Sequence, residues 1–135
     1  MSFLSNSHSH CLLCGEKNPW SLRLRFKPDD NGAVHTVFKA HEGLQGYHGI
    51  LHGGVISALL DSAMTNCLFH QGVEAVTGDL HVRFVKPVPC PESVVIRAWV
   101  VTSLPPLYRV RAELVCQETV MAWAEAKFAK RKGCK

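Results

Sequence analysis

The sequence predicts an α+β fold, an antiparallel sheet of five or six strands wrapped around one long central helix. Residues 53–70 repeat apolar side chains at spacings of three and four, the helix period, while the segments on either side alternate apolar with polar, the strand period. The element order reads two strands, one helix, then four strands. One helix cannot cover both faces of such a sheet. The strands must therefore be antiparallel, with one face closed on the helix and the other face or an edge left for a partner.

Taken in order, a polar leader over residues 1–21 precedes a single domain over residues 22–135. "LRLRFK" (Leu22 to Lys27) alternates apolar with basic and predicts a strand with one face buried. "PDDNG" follows, and Asn31-Gly32 suits a tight hairpin because both residues tolerate positive φ, so Ala33 to Ala40 should return antiparallel. The helix pattern uses Val55, Ile56, Leu59, Leu60, Ala63, Met64, Cys67 and Leu68. In "AVTGDLHVRFVKP", Val76, Leu80, Val82 and Phe84 fall on one face, and Thr77, Asp79, His81 and Arg83 on the other. "SVVIRAWVVTSL", "LYRVRAELVCQE" and "TVMAWAEAKFAKR" continue the alternation. They are separated by Pro87, Pro89 and Pro91, by Pro105-Pro106 and by a turn near Gln117-Glu118.

The totals narrow the classes. At 135 residues, 47% apolar and with a formal charge of +4, the chain is an ordinary globular domain whose basic excess is too small to indicate nucleic acid. Part of that excess sits in Lys127, Lys130, Arg131, Lys132 and Lys135, read as a solvated end. No apolar run nears the roughly 20 residues that span a bilayer, and no signal peptide is visible, so a cytoplasmic protein without membrane partners is expected. Cys11, Cys14, Cys67, Cys90, Cys116 and Cys134 are then expected as reduced thiols.

"GYHGILHGGVISALLDSAM" (Gly46 to Met64) concentrates the chemistry. A helix N-terminus leaves backbone N–H groups unpaired and carries partial positive charge, so Gly53 and Gly54 offer a site for an oxygen that gains negative charge. The plainer reading is that His52, Gly53 and Gly54 simply turn the chain into a closely packed helix. Asp61 lies among apolar residues of that helix, where a carboxylate must be solvated, paired or functional. Ser57 and Ser62 suggest a polar stripe beside it. Gly53 and Asp61 are eight residues apart, about 12 Å of helix, too far to meet on one reacting carbonyl within a chain. If they cooperate, they come from two chains, as in a symmetric dimer with antiparallel helices side by side.

This order of elements, with "HGG" at the helix start, an aspartate nine residues after the histidine and "AVTGDLHVRFVKPVP" in the next strand, resembles the hotdog-fold acyl-CoA thioesterases of the PaaI-like group, in the 4-hydroxybenzoyl-CoA thioesterase superfamily. The resemblance runs from Leu22 to Lys130 and implies hydrolysis of an acyl-CoA to a carboxylic acid and coenzyme A. It implies that Asp61 acts as general base or nucleophile, that the Gly53 N–H is the oxyanion donor, that His52 shapes the helix entrance and that Thr77 orients the water or assists Asp61. It also implies shallow binding of the anionic coenzyme A by basic side chains. Arg83 and Lys86 are the candidates, with Gly54 and His48 as further substrate contacts. Many PaaI-like members carry asparagine where this chain has Gly46, and His48 is the nearby alternative, against a plain reading as a surface-loop histidine. A homodimer, or a dimer of dimers, and no cofactor are implied. The rival of another class is a hotdog protein that binds acyl-CoA without turning it over. Met64, Leu68 and Phe69 are candidates for setting pocket length.

The leader "HSHCLLCGEKNPWSL" holds one C-x-x-C with His8 and His10 just before it. A structural zinc site wants four ligands, usually two separated pairs, and only one pair is present, so no metal is expected. A redox pair is a further reading. A turn packed on the sheet is the plainest one, and a similar leader occurs in a subset of hotdog proteins.

Overall fold

The computed structural model describes residues 8–131; Lys132, Cys134 and Lys135 of the basic end lie outside the described residues. Six antiparallel strands and one helix follow the expected order: β1 (Lys27–Pro28), β2 (Val34–Lys39), α1 (Gly53–Phe69), β3 (Ala75–Phe84), β4 (Ser93–Leu104), β5 (Leu107–Cys116) and β6 (Thr119–Lys130). The sheet runs β1-β2-β4-β5-β6-β3, with β3 at one edge. The turn between β5 and β6 places Gln117 at φ 51° and Glu118 at φ 66°, the twist-matched hairpin geometry.

The inner face of the sheet closes on α1. Leu59, Leu60, Ala63, Met64, Cys67 and Leu68 pack into a core with Val94, Ile96, Val110, Leu114 and Phe128. Ala98, Ala112, Ala122, Ala124 and Ala126 are buried alongside them, and such small side chains let the sheet approach and curl round the helix. Bulges between Val100 and Thr102, between Leu114 and Val115, and between Thr77 and Asp79 bend the strands further.

One strand is much shorter than expected. From Leu22 to Lys27 only Lys27 joins the ladder, because the Leu22 and Leu24 N–H groups donate to the Leu12 and Leu13 carbonyls of the leader, at 2.9 and 3.0 Å. Arg23, at φ 57°, breaks the extended run. The alternation survives as burial: Leu24 and Phe26 are buried, Arg23 and Arg25 exposed.

A second difference lies in β3. Thr77 pairs with Phe128, and after the bulge Leu80, Val82 and Phe84 pair with Ala126, Ala124 and Ala122, all buried on the helix side. The extra residue, Gly78, therefore puts Thr77 on the same face as Leu80, Val82 and Phe84, not with Asp79, His81 and Arg83. Val76 moves to the outer face.

Candidate active site

The helix start is built by His52. It is extended at φ −60° and ψ 133°, its carbonyl accepts from the Ile56 N–H at 3.0 Å, and its Nδ1 accepts from the Gly54 N–H at 2.8 Å. A ring nitrogen that accepts carries no proton, so the tautomer that makes this bond has its N–H at Nε2. The cap uses the Gly54 N–H, which removes it from the pair of free donors that the sequence suggests. The Gly53 N–H has no protein acceptor among the described residues and stands at the positive end of α1.

An added Cβ at Gly54 would lie 3.0 Å from His52 Cε1 and 3.1 Å from its Nδ1, a tight contact that only a shift of the capping ring relieves. At Gly53 the same atom would meet only the Phe84 ring, at 3.6 Å. That ring is part of a cleft of about 640 Å³ at the helix start, bordered by Tyr47, Ile50, Gly53, Ile56, Phe84 and Lys86. Its walls are the loop before α1 and the segment after β3, stitched by the Leu51 N–H to the Val88 carbonyl at 2.8 Å and the Cys90 N–H to the Gly49 carbonyl at 2.9 Å.

Asp61 lies two turns further along α1, half-buried, and its Oδ1 accepts from the Thr77 hydroxyl at 2.6 Å. Across the β3 bulge, Thr77 faces the helix. One carboxylate oxygen is thereby held, and Oδ2 has no protein partner among the described residues. The border of the cleft includes neither Asp61 nor Thr77. Within one chain, then, the structure brings together Gly53, His52 and Lys86 at one place and Asp61 and Thr77 at another.

The remaining candidates are dispersed. His48 is exposed in the loop before α1 and does not border the cleft. Arg83 pairs with Trp123 on the outer face of the sheet, away from the helix. Met64, Leu68 and Phe69 are buried, and none of them borders the cleft, whose apolar floor is Leu51 and Ile56. Ser62 is likewise buried, and the partly exposed polar stripe of α1 is Ser57, Asp61 and Thr65. Tyr47, Ile50, Phe84 and Val85 were not singled out from the sequence. The available signal was proximity: Tyr47 and Ile50 lie just before the "HGG" turn, and Phe84 and Val85 lie at and just past the end of the strand that carries Thr77.

Comparison with known proteins follows the same lines. The family model described as "Thioesterase superfamily" matches residues 48–122, more than half of the chain. Among curated proteins, acyl-coenzyme A thioesterase THEM4 of Bos taurus is 34% identical over 73 residues, which are 54% of this chain and 30% of that protein. The match thus spans under a third of that relative's length. Among solved structures, the PaaI protein of E. coli aligns with a TM-score of 0.76 at 21% identity, over 83% of this chain and 82% of that one. The smu.793 protein of Streptococcus mutans, solved bound to acetyl CoA, aligns with a TM-score of 0.73 at 21% identity, over 81% and 91%. At such identities the structural likeness is one of fold.

Proposed function

The chain belongs to the thioesterase superfamily and has the hotdog fold of its structural neighbours, and from that premise we propose that it is an acyl-CoA thioesterase acting as a homodimer. The observation that carries the proposal is the Asp61–Thr77 hydrogen bond of 2.6 Å, which orients a carboxylate on a core helix and leaves its second oxygen open. The acetyl CoA bound to the Streptococcus mutans neighbour supports the substrate class.

The edge strand β3 supports the dimer. It is paired with β6 on one side only, and Val76, Leu80 and Phe84 on it are 53%, 37% and 52% exposed. An open, apolar edge invites a second strand. On the adjacent helix, Gly54, Ser57, Ala58, Asp61 and Thr65 stay partly exposed and are small enough for another helix to lie close. Antiparallel pairing of two β3 edges sets the helices side by side and brings each Gly53 toward the partner's Asp61, closing the gap of about 12 Å that separates them within a chain. The same pairing makes two identical sites. A dimer of dimers through the outer sheet face extends the same reading.

In such a site the thioester carbonyl points at the Gly53 N–H, and the developing oxyanion accepts from that amide at the positive helix end. Asp61 Oδ2 takes a proton from water as water attacks the carbonyl, or attacks directly. Thr77 keeps the carboxylate aimed. Thiolate leaves readily, so no strong acid is required. His52 holds the helix entrance open by capping Gly54, and Gly54 admits substrate because it has no side chain. Lys86 at the cleft, with Arg83 and His48 further out, are the cations and polar groups proposed for the coenzyme A end. The free cysteines among the described residues support a reducing, cytoplasmic setting, and no described helix is long and apolar enough to cross a membrane.

The test is hydrolysis of a panel of acyl-CoAs, read by a dye that traps the released thiol. Turnover should fall at least about 100-fold in Asp61→Asn with the fold retained. Tight binding with no thiol released by the unmodified protein would instead favour the acyl-CoA-binding reading.

A further inference from the structure

We propose that His8, Cys11 and Cys14 form a binding site for a thiophilic divalent cation, for which Zn²⁺ is the best chemical match, and that the ion clamps the N-terminal segment onto the C-terminal end of α1. The ligand atoms of these three residues lie within 4.8 Å of one another, and His8 Nδ1 is 3.4 Å from Cys14 Sγ. A tetrahedral zinc with Zn–S near 2.3 Å and Zn–N near 2.0 Å sets N···S edges of about 3.5 Å and S···S edges of about 3.8 Å. The cluster is already close to that size. The third ligand is His8, noted in the sequence just before the cysteine pair, which the chain folds back to set beside Cys14, six residues on. His10 is directed elsewhere, with its Nδ1 3.2 Å from Ser9 Oγ.

The backbone between the cysteines is built for two sulfurs on one side. The Leu13 N–H donates to Cys11 Sγ at 3.3 Å, the kind of contact that stabilises a ligating thiolate, and the Gly15 N–H donates to the Cys11 carbonyl at 2.9 Å. An added Cβ at Gly15 would fall 2.4 Å from Cys11 N, 2.6 Å from Cys11 O and 2.6 Å from Ser9 O, so only glycine closes this turn.

A second, independent observation is an unpartnered buried carboxylate oxygen. Glu74 Oε2 is buried without a hydrogen-bond partner, while its Oε1 accepts from Arg131 Nη1 at 3.2 Å. The His8 ring packs edge-on against Phe69 at 4.4 Å, and Glu74 and Arg131 are both near enough to act on its charge, with opposite signs. When Nδ1 of a histidine ligates a metal, its other nitrogen carries the proton and is normally oriented by a carboxylate. Glu74 is the carboxylate proposed for that role, its Oε2 being unpartnered among the described residues. Three protein ligands leave the fourth position to solvent. Loading converts two thiols to thiolates and releases two protons to the solvent.

The test uses the full chain, purified with reductant, stripped by a chelator and titrated with Co²⁺ and then Zn²⁺. The expected result is one equivalent per chain, a thiolate-to-cobalt charge-transfer band with the visible bands of a tetrahedral ion, and its displacement by Zn²⁺. His8→Ala, Cys11→Ser and Cys14→Ser should each abolish the charge-transfer signature or halve its thiolate intensity, and Glu74→Gln should weaken affinity roughly 10-fold or more. Cys90→Ser should change nothing. No uptake at equimolar cobalt, or equal uptake by His8→Ala and Cys11→Ser chains of native circular dichroism, would overturn the proposal. The readout is spectroscopic and independent of thioester hydrolysis, so failure of either reading leaves the other standing.

Discussion

The Thr77 hydroxyl and the Asp61 carboxylate, on a strand and a helix sixteen residues apart, meet at 2.6 Å beside a bulge in β3, where Thr77 faces the helix. That contact links a local irregularity of the sheet to the group proposed to do the chemistry. Its removal should be felt in turnover more than in binding.

Thr77→Ala should lower kcat about 10- to 100-fold with KM little changed, since one hydrogen bond to a charged group is worth about 1.5–3 kcal/mol. Thr77→Ser, which keeps the hydroxyl, should recover most of the activity. Steady-state kinetics on one acyl-CoA check both, and equal rates in all three proteins would remove Thr77 from the mechanism.

Deleting Gly78 takes out the extra residue and lets the ladder run without a bulge from Thr77 opposite Phe128 to Asp79 opposite Lys127, so Thr77 keeps facing the helix. The expected outcome is hydrolysis retained well above the Thr77→Ala level in a protein whose circular dichroism is unchanged, checked by steady-state kinetics on the same acyl-CoA. Gly78→Ala should be mild, because an added Cβ would sit 3.6 Å from the Lys127 carbonyl, an ordinary contact.

The helix cap gives a contrast between adjacent glycines. Gly54→Ala crowds the His52 ring and should cost about 1 kcal/mol of stability through the damaged cap, measured by urea denaturation. Gly53→Ala has room beside Phe84 and should unfold at a urea concentration near that of the parent, while its methyl group narrows the cleft and reduces turnover.

These contacts also mark what was legible beforehand. The helix and the last three strands could be read because their burial follows the period of each element and Pro or turn residues separate them. Leu22 to Lys27 had the right burial and the wrong pairing, since backbone hydrogen bonds to Leu12 and Leu13 leave no trace in an alternation pattern. The facing of Thr77 was misread for a simpler reason: Gly78 inside a strand is a bulge signal, and strict alternation overlooks it. For the site, Asp61 and the Gly53 amide were visible as a costly carboxylate and an unpaired helix end. The use of the Gly54 amide by its own neighbour depended on a side-chain rotamer that no spacing reports.

Cys67 supplies a pH window. Burial pushes its thiol up to about 11, and the S–H group points at the Gly32 carbonyl, 3.8 Å away. The folded chain therefore holds this proton more tightly than the unfolded chain does. The associated stability is fully present below about pH 9 and is lost as pH rises toward 11. Denaturation midpoints should fall across that window and fall less in Cys67→Ala, compared with that variant's own value at pH 8. Alkylation of Cys67 followed by mass spectrometry should be far slower at pH 8 in the native protein than in the unfolded chain.

The account rests on one amide and one carboxylate from different chains sharing a substrate, and subunit mixing tests it most directly. Gly53→Pro removes the N–H at a first-turn position that tolerates proline, and the extended His52 before it is compatible with that change. Gly53→Pro and Asp61→Asn proteins should each be inactive alone. Co-expressed in equal amounts, they should recover about a quarter of the parent activity, because half of the dimers are mixed and each mixed dimer has one intact site. Stable mixed dimers with no recovered hydrolysis would contradict the account, as would an active protein that stays monomeric.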